Sequence, residues 1–301
     1  MKTLSEANPL NIPPISEIPT EPLLNPHLRA STQHALQSRG SGFRFRLVHS
    51  MCSVCRMDPE RTEAFASALE YFHLASLVLD DLPCMDDAES RRGMPCTHLV
   101  YGDAMAILSS LALINRSYFL IWEGLNGLSA EVQREVNALL DQCLGLNGIL
   151  NGQAMDLKFI NSDKSASTVE RIAILKTGSL LKLSILLPWI ACSGSKTTRN
   201  ILRRLAERWG RVYQLLDDFK DIEWGERVSG KTPLRDAVLN HPNLAVTLGK
   251  EGAIERLREH IQETRRLMDS LEGHEDLIKA LQPFQAKLEL AGEAFLAQSA
   301  A

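Results

Sequence analysis

Apolar residues recur at helical spacing along almost the whole chain from about residue 27. Phe65, Leu69, Phe72 and Leu79 mark one stripe over residues 60–82, and Leu202, Leu205, Trp209, Val212 and Leu216 mark another over 197–223. Apolar helical sequence also fills 103–123 and 168–191, and 129–159 reads as one long helix. From about 242, charged and apolar residues alternate in helical rhythm with few glycines or prolines. No segment alternates with the period of two that a half-buried strand requires, so the pattern predicts an all-α protein. Residues 27–58 are helical apart from Ser38-Arg39-Gly40-Ser41-Gly42, which reads as a loop. Pro9, Pro13, Pro14, Pro19, Pro22 and Pro26 defeat a helix ahead of it. Residues 1–26 are therefore expected to form an arm draped on the surface or on a partner subunit. Residues 27–301 are expected to form a single domain.

Two of the helices end in acid. The first runs into Asp80-Asp81-Leu82-Pro83-Cys84-Met85-Asp86-Asp87, followed by Arg91-Arg92-Gly93. Carboxylates crowded at the end of a buried helix repel one another. A hard divalent cation relieves that repulsion, and magnesium fills its shell with a few carboxylates, water and substrate phosphate. Arg91 and Arg92 add fork-shaped donors suited to phosphate oxygens. The second helix carries Gln214-Leu215-Leu216-Asp217-Asp218-Phe219-Lys220-Asp221, in which Asp217 and Asp221 share one face. One such cluster is also what a solvated loop or a helix cap looks like. Two, each closing an apolar helix, suggest carboxylate banks facing each other across a cavity, with metals holding a diphosphate between them.

Other polar positions on apolar helices add to this picture. His73, Ser76 and Asp80 form a polar stripe suited to a cavity wall, although His73 by itself also fits a satisfied core histidine. Gln153 and Asp156 are i, i+3 neighbours. Lys176-Thr177 lies among Ile174, Leu175, Leu180 and Leu181, where an ammonium needs an anion or must snorkel to water. Arg44 and Arg46 follow a glycine turn, which fits solvated surface and equally an anion clamp at a helix start. Gly230-Lys231-Thr232 sits in a loop.

Composition narrows the class. The chain of 301 residues is 45% hydrophobic, enough for a large core. A formal net charge of -4 argues against nucleic acid as a partner. No unbroken run of eighteen apolar residues occurs, so no membrane span is expected, and the first residues do not look like a secretory signal. Cys52 and Cys55 form a CxxC with no second pair to complete a zinc site. Free thiols and a reducing, cytoplasmic setting are expected.

The ordered motifs resemble those of the trans-isoprenyl diphosphate synthases, or polyprenyl synthetases. His73, the Asp80–Asp87 run and Arg91-Arg92-Gly93 match the first aspartate-rich motif in its bacterial form. Gly152-Gln153-Ala154-Met155-Asp156, Lys176-Thr177 and Gln214–Asp221 match the later motifs in order. The resemblance implies a helical bundle around a deep central cavity, usually homodimeric. It implies three magnesium ions, with Asp80 and Asp86 binding two, Asp217 binding the third and Asp221 nearby. It assigns Arg91, Lys176, Gln214 and Lys231 to an allylic diphosphate, and Arg46, His73 and Arg92 to isopentenyl diphosphate. Thr177 and Gln214 would steady the allylic cation through their oxygen dipoles. The small Ala75 ahead of the first motif, with Phe72 deeper, points to a C20 product, with C15 next.

Two positions depart from the family pattern. Its glycine-lysine-arginine-x-arginine-proline motif reads here Gly42-Phe43-Arg44-Phe45-Arg46-Leu47, and a further lysine aligns with His241. Losing one charged phosphate contact costs roughly 1.5–3 kcal/mol. The principal expectation is condensation of an allylic diphosphate with isopentenyl diphosphate. Two alternatives stand beside it: a terpene cyclase on the same frame that ionises an allylic diphosphate alone, and a noncatalytic partner subunit.

Overall fold

The computed structural model describes residues 25–38, 40–223 and 242–299, the side chains of 220–223 and 297–299 excepted. Lys231 and His241, most of the proline-rich arm and the side chain of Asp221 lie outside the described residues. The helices are α1 (Pro26–Gln37), α2 (Phe43–Val54), α3 (Pro59–Asp80), α4 (Thr97–Tyr101), α5 (Asp103–Leu125), α6 (Ala130–Leu144), α7 (Ile149–Leu157), α8 (Ala166–Ala173), α9 (Ser179–Ala191), α10 (Lys196–Glu223), α11 (Leu244–Asp269) and α12 (Glu275–Ser299). Among the described residues the only sheet is a ribbon of β1 (Ser90–Arg91) and β2 (Met94–Pro95). The all-α expectation therefore holds.

The chain gathers into two compact units. The first combines the residues up to Arg46 with Asp58–Asn126, and the second combines Leu47–Met57 with Gly127 onward. In the first unit α3 is the central element. Pro59 presets its first turn, and the Asp58 carboxylate accepts from the Arg61 amide at 2.8 Å. Tyr71, Leu74, Ala75 and Val78 of α3 join Ala35 and Leu36 of α1, Leu82, and Ala106 and Leu113 of α5 in one buried cluster. Ala75, the position assigned to the cavity floor, is fully buried there, and Phe72 meets Tyr118 edge-on at 6.4 Å.

In the second unit α9 is buried along nearly its whole length. Behind it, Trp209 of α10 donates its indole N–H to Gln285 Oε1 at 2.6 Å, and Gln285 in turn donates to Thr264 at 2.8 Å. A fully buried indole needs such a partner, and this one ties α10 to α12 and α11.

Two expectations on helix extent are corrected, and one further break is found. The single helix expected over 129–159 is two, because the chain breaks between Gly145 and Gly148. The helix over 168–191 is interrupted by a π-helical turn at Ile174–Gly178, a feature that apolar periodicity does not register. The C-terminal helical sequence divides at residues 270–274, where Gly273 takes φ +87°. The expectation of no membrane-spanning helix also meets a finding. Asp103–Leu125 and the continuous Ala166–Ala191 stretch are each long and apolar enough to cross a membrane by length and composition. In the second stretch 72% of the most apolar window is buried inside the protein; in the first only 33% is.

Candidate active site

Both aspartate pairs divide their labour. In the first unit Asp81 caps α3 and turns inward, 4% exposed. It accepts from Arg91 Nε at 2.8 Å to both carboxylate oxygens and from an Arg91 amino group at 2.5 Å. Arg91 reaches it from the end of β1, just before the Arg92–Gly93 turn, in which both residues take positive φ. That is the turn which matches the twist of a two-residue hairpin. Burial works against the Arg91 charge, but its bonds to Asp81 and the nearby Asp80 and Asp86 outweigh it and hold the guanidinium above its usual range. Asp80 and Asp86 are brought together differently: the Asp86 amide donates to the Asp80 carbonyl at 2.9 Å. One tight loop thus joins the backbones of Asp80 and Asp86, both half-buried, while the Asp81 carboxylate is occupied.

The basic residues of this unit converge. Arg44 donates to His73 Nε2 at 3.2 Å. Burial, followed by the charges of Arg44, Arg92 and Arg91, holds the His73 pKa well below the ordinary histidine range. A neutral imidazole nitrogen is what an arginine donor requires. Arg92 donates to the Ser38 carbonyl at 2.8 Å. Its guanidinium also lies against the bare α-carbon of Gly40, where a Cβ would come within 2.5 Å of Arg92 Cζ. Arg46 stands in the first turn of α2. Three of the residues assigned to isopentenyl diphosphate, Arg46, His73 and Arg92, therefore share the first unit with Asp80, Asp86 and Arg91.

The second unit repeats the pattern. Asp218 is 1% exposed. It accepts from the Leu244 amide at 2.7 Å and from Gln214 Nε2 at 2.9 Å, while Asp217 faces outward on the same helix. Gln214 Oε1 accepts from the Thr177 hydroxyl at 2.9 Å. Thr177 and Lys176 lie in the π-helical turn, and Lys176 Nζ reaches the buried Asp156 at 2.5 Å. Gly152 makes room for that turn, since a Cβ on it would stand 2.5 Å from the Lys176 nitrogen. Gln153, half-buried, sits one turn before Asp156 on α7.

The polyprenyl synthetase family model matches residues 25–279. The chain belongs to that family. It is 34% identical over 208 residues to the geranylgeranyl diphosphate synthase of Pantoea ananas, covering 69% of this chain and 67% of that protein. It is 32% identical over 256 residues to the farnesyl diphosphate synthase of Bacillus subtilis (strain 168), covering 84% and 86%. Among solved structures it is similar to the geranyltransferase of Helicobacter pylori complexed with magnesium and isoprenyl diphosphate. There the TM-score is 0.79 at 25% identity, over 89% of this chain and 90% of that one. The isoprenoid-synthase fold expected from the motifs is thereby established.

Polyprenyl synthetases depend in general on magnesium. The donor set here suits that ion. Asp80 and Asp86 are hard oxygen ligands joined through one backbone hydrogen bond, and Asp217 is outward-facing. Among the described residues no three His, Cys, Asp or Glu side chains converge into a ready metal cage. Magnesium does not demand one, because substrate phosphate and water complete its shell. Sequence reasoning missed the fixed roles of Asp81 and Asp218. A 100° step per residue around a helix was the available signal, since neighbouring aspartates cannot both point outward from one face.

Proposed function

We propose that this polyprenyl synthetase is a prenyltransferase that condenses an allylic diphosphate with isopentenyl diphosphate and releases a C20 or C15 diphosphate, C20 first. Asp80, Asp86 and Asp217, with Asp221 as a further candidate, would hold magnesium ions for the allylic diphosphate, three by the family pattern. Those ions, when bound, supply the positive charge that a departing diphosphate needs. Arg91, Lys176, Gln214 and Lys231 orient the same group, and Gln153 stands close to it. Asp81 and Asp156 fix Arg91 and Lys176 in place, so little reorganisation accompanies bond breaking. The Thr177 and Gln214 oxygens face the allylic cation. Condensation requires that water be excluded until the isopentenyl double bond attacks. The diphosphate released takes the proton, so no protein base is assigned.

The observation that carries this reading is the split within each aspartate pair, one carboxylate buried as a strut and its neighbour left accessible, half-buried at Asp80 and exposed at Asp217. A noncatalytic partner subunit has no need for the accessible members. Arg46, His73 and Arg92 receive isopentenyl diphosphate, and Phe43 in place of a lysine weakens that half. Leu99, Val100, Ile107, Leu108, Leu111, Phe119 and Trp122 present an apolar face along α4 and α5. A face of that kind supports a homodimer through α5. Free thiols at all six cysteines support a cytoplasmic setting. Product analysis by mass spectrometry with C5, C10, C15 and C20 allylic diphosphates, each with and without isopentenyl diphosphate, tests the assignment. Elongated diphosphates only in its presence are expected. Cyclic hydrocarbons formed without it would make the chain a terpene cyclase on the same frame.

A further inference from the structure

Three cysteines of the second unit meet where the last turn of α2 approaches the end of α9. The Cys55 thiol, one residue past α2, donates to the Pro188 carbonyl at 3.5 Å. That same carbonyl accepts the Cys192 amide at 3.1 Å, where Cys192 caps α9. The Cys192 thiol in turn donates to the neighbouring Trp189 carbonyl at 3.3 Å. Cys55 and Cys192 are both partly exposed, whereas Cys52, one turn before Cys55, is fully buried. Two successive carbonyls at the end of α9 thus hold the two thiols, one each, and both residues are partly exposed.

We propose that Cys55 and Cys192 form a reversible oxidation site, closed to an intramolecular disulfide by hydroperoxides. The two thiols are chemically unequal. The neighbouring Cys55 thiol, opposed by burial and aided by the backbone amides of Gly194 and Cys192, lowers the Cys192 pKa. The neighbouring Cys192 thiol, then burial, and the nearby Cys52 push Cys55 up. Cys192 is accordingly the nucleophile. Its thiolate attacks one peroxide oxygen, the O–O bond breaks, and hydroxide leaves to become water. The Cys192 sulfenic acid then condenses with the Cys55 thiol: the S–S bond forms, the S–O bond breaks, and a second water departs. Two electrons pass from the two sulfurs to one peroxide. A thiol reductant reopens the bond by exchange.

The experiment uses the full-length protein. It is treated with one to a few equivalents of hydrogen peroxide, its remaining thiols are alkylated, and it is digested without reductant. The expected product is a peptide pair linking Cys55 to Cys192, about 2 Da lighter than the two thiol peptides together and separated by dithiothreitol. In the Cys55→Ser variant, Cys192 should be trapped by dimedone as the sulfenic acid. In the Cys192→Ser variant, Cys55 should remain alkylatable. As a second readout, oxidation should raise the thermal midpoint of the unsubstituted protein by roughly 5 °C and leave the Cys55→Ser variant unchanged. A Cys52–Cys55 link, or both thiols still alkylatable after the exposed Cys84 has been oxidised, would overturn the proposal.

Discussion

Replacing Asp81 by Ala and Asp80 by Ala, side by side, separates structure from chemistry within one dipeptide. Asp81 and Arg91 are 5% and 13% exposed at the side chain and share three contacts of 2.5–2.8 Å. Removing one partner of a buried ion pair leaves the other charge uncompensated and costs about 3–5 kcal/mol. Asp80 and Asp86 still pull on Arg91, which puts the loss near the lower end, ~3 kcal/mol. In a protein of this size that is a fall of roughly 6–12 °C in the thermal midpoint. Asp80→Ala removes a half-exposed carboxylate from a crowded cluster, so its stability change should stay within about 1 kcal/mol. Turnover should behave in the opposite way. Asp80→Ala should lower kcat by at least about a hundredfold, as loss of a charge-stabilising group does, while folded Asp81→Ala retains more. Differential scanning fluorimetry and a steady-state diphosphate-release assay on both variants decide the matter. Equal destabilisation by the two substitutions, or full activity in Asp80→Ala, would refute the division of labour between them.

In the second unit, Asp218→Ala removes the acceptor for the Leu244 amide and for Gln214; chemical denaturation should show a loss of about 2–4 kcal/mol, whereas Asp217→Ala should show almost none. Gly152→Ala drives a methyl into the Lys176 backbone and should cost about 1–3 kcal/mol, with a rise in KM for the allylic substrate seen by steady-state kinetics. His73 is held neutral in the fold, so the unfolded chain takes up its proton first. Its stabilising contribution is complete above the ordinary pKa near 6.5 and is lost as pH falls below it. Thermal midpoints measured from pH 7.5 to 5 should decline, and His73→Gln should flatten part of that decline. The remainder belongs in part to His260, which burial also holds below its usual range.

The helices and the residues that carry charge were legible because both follow from local pattern. The apolar stripe before Asp80 forms α3, and the one before Asp217 forms α10. That Gln153 and Asp156 lie one turn apart on the same helix was legible from their i, i+3 spacing. Partners were not legible. That Arg91 belongs to Asp81, Lys176 to Asp156 and Arg44 to His73 depends on where the chain turns between them. The π-helical turn at Ile174–Gly178 escaped notice for a related reason. An inserted residue shifts the helical phase without altering composition, and the Gly152 contact that accommodates the turn lies on another helix. The break at Gly145–Gly148 was hidden by apolar residues on both sides, which kept an unbroken helical rhythm.

The proposed function assigns both aspartate clusters to one magnesium-bound diphosphate. A double-mutant cycle on Asp80→Asn and Asp217→Asn tests it most directly, reading the affinity of an unreactive allylic diphosphate analogue by calorimetry at saturating magnesium. The account predicts a stoichiometry of one, loss of most of the binding free energy in each single variant, and little further loss in the double variant. Two independent binding events, or losses that simply add, would contradict it.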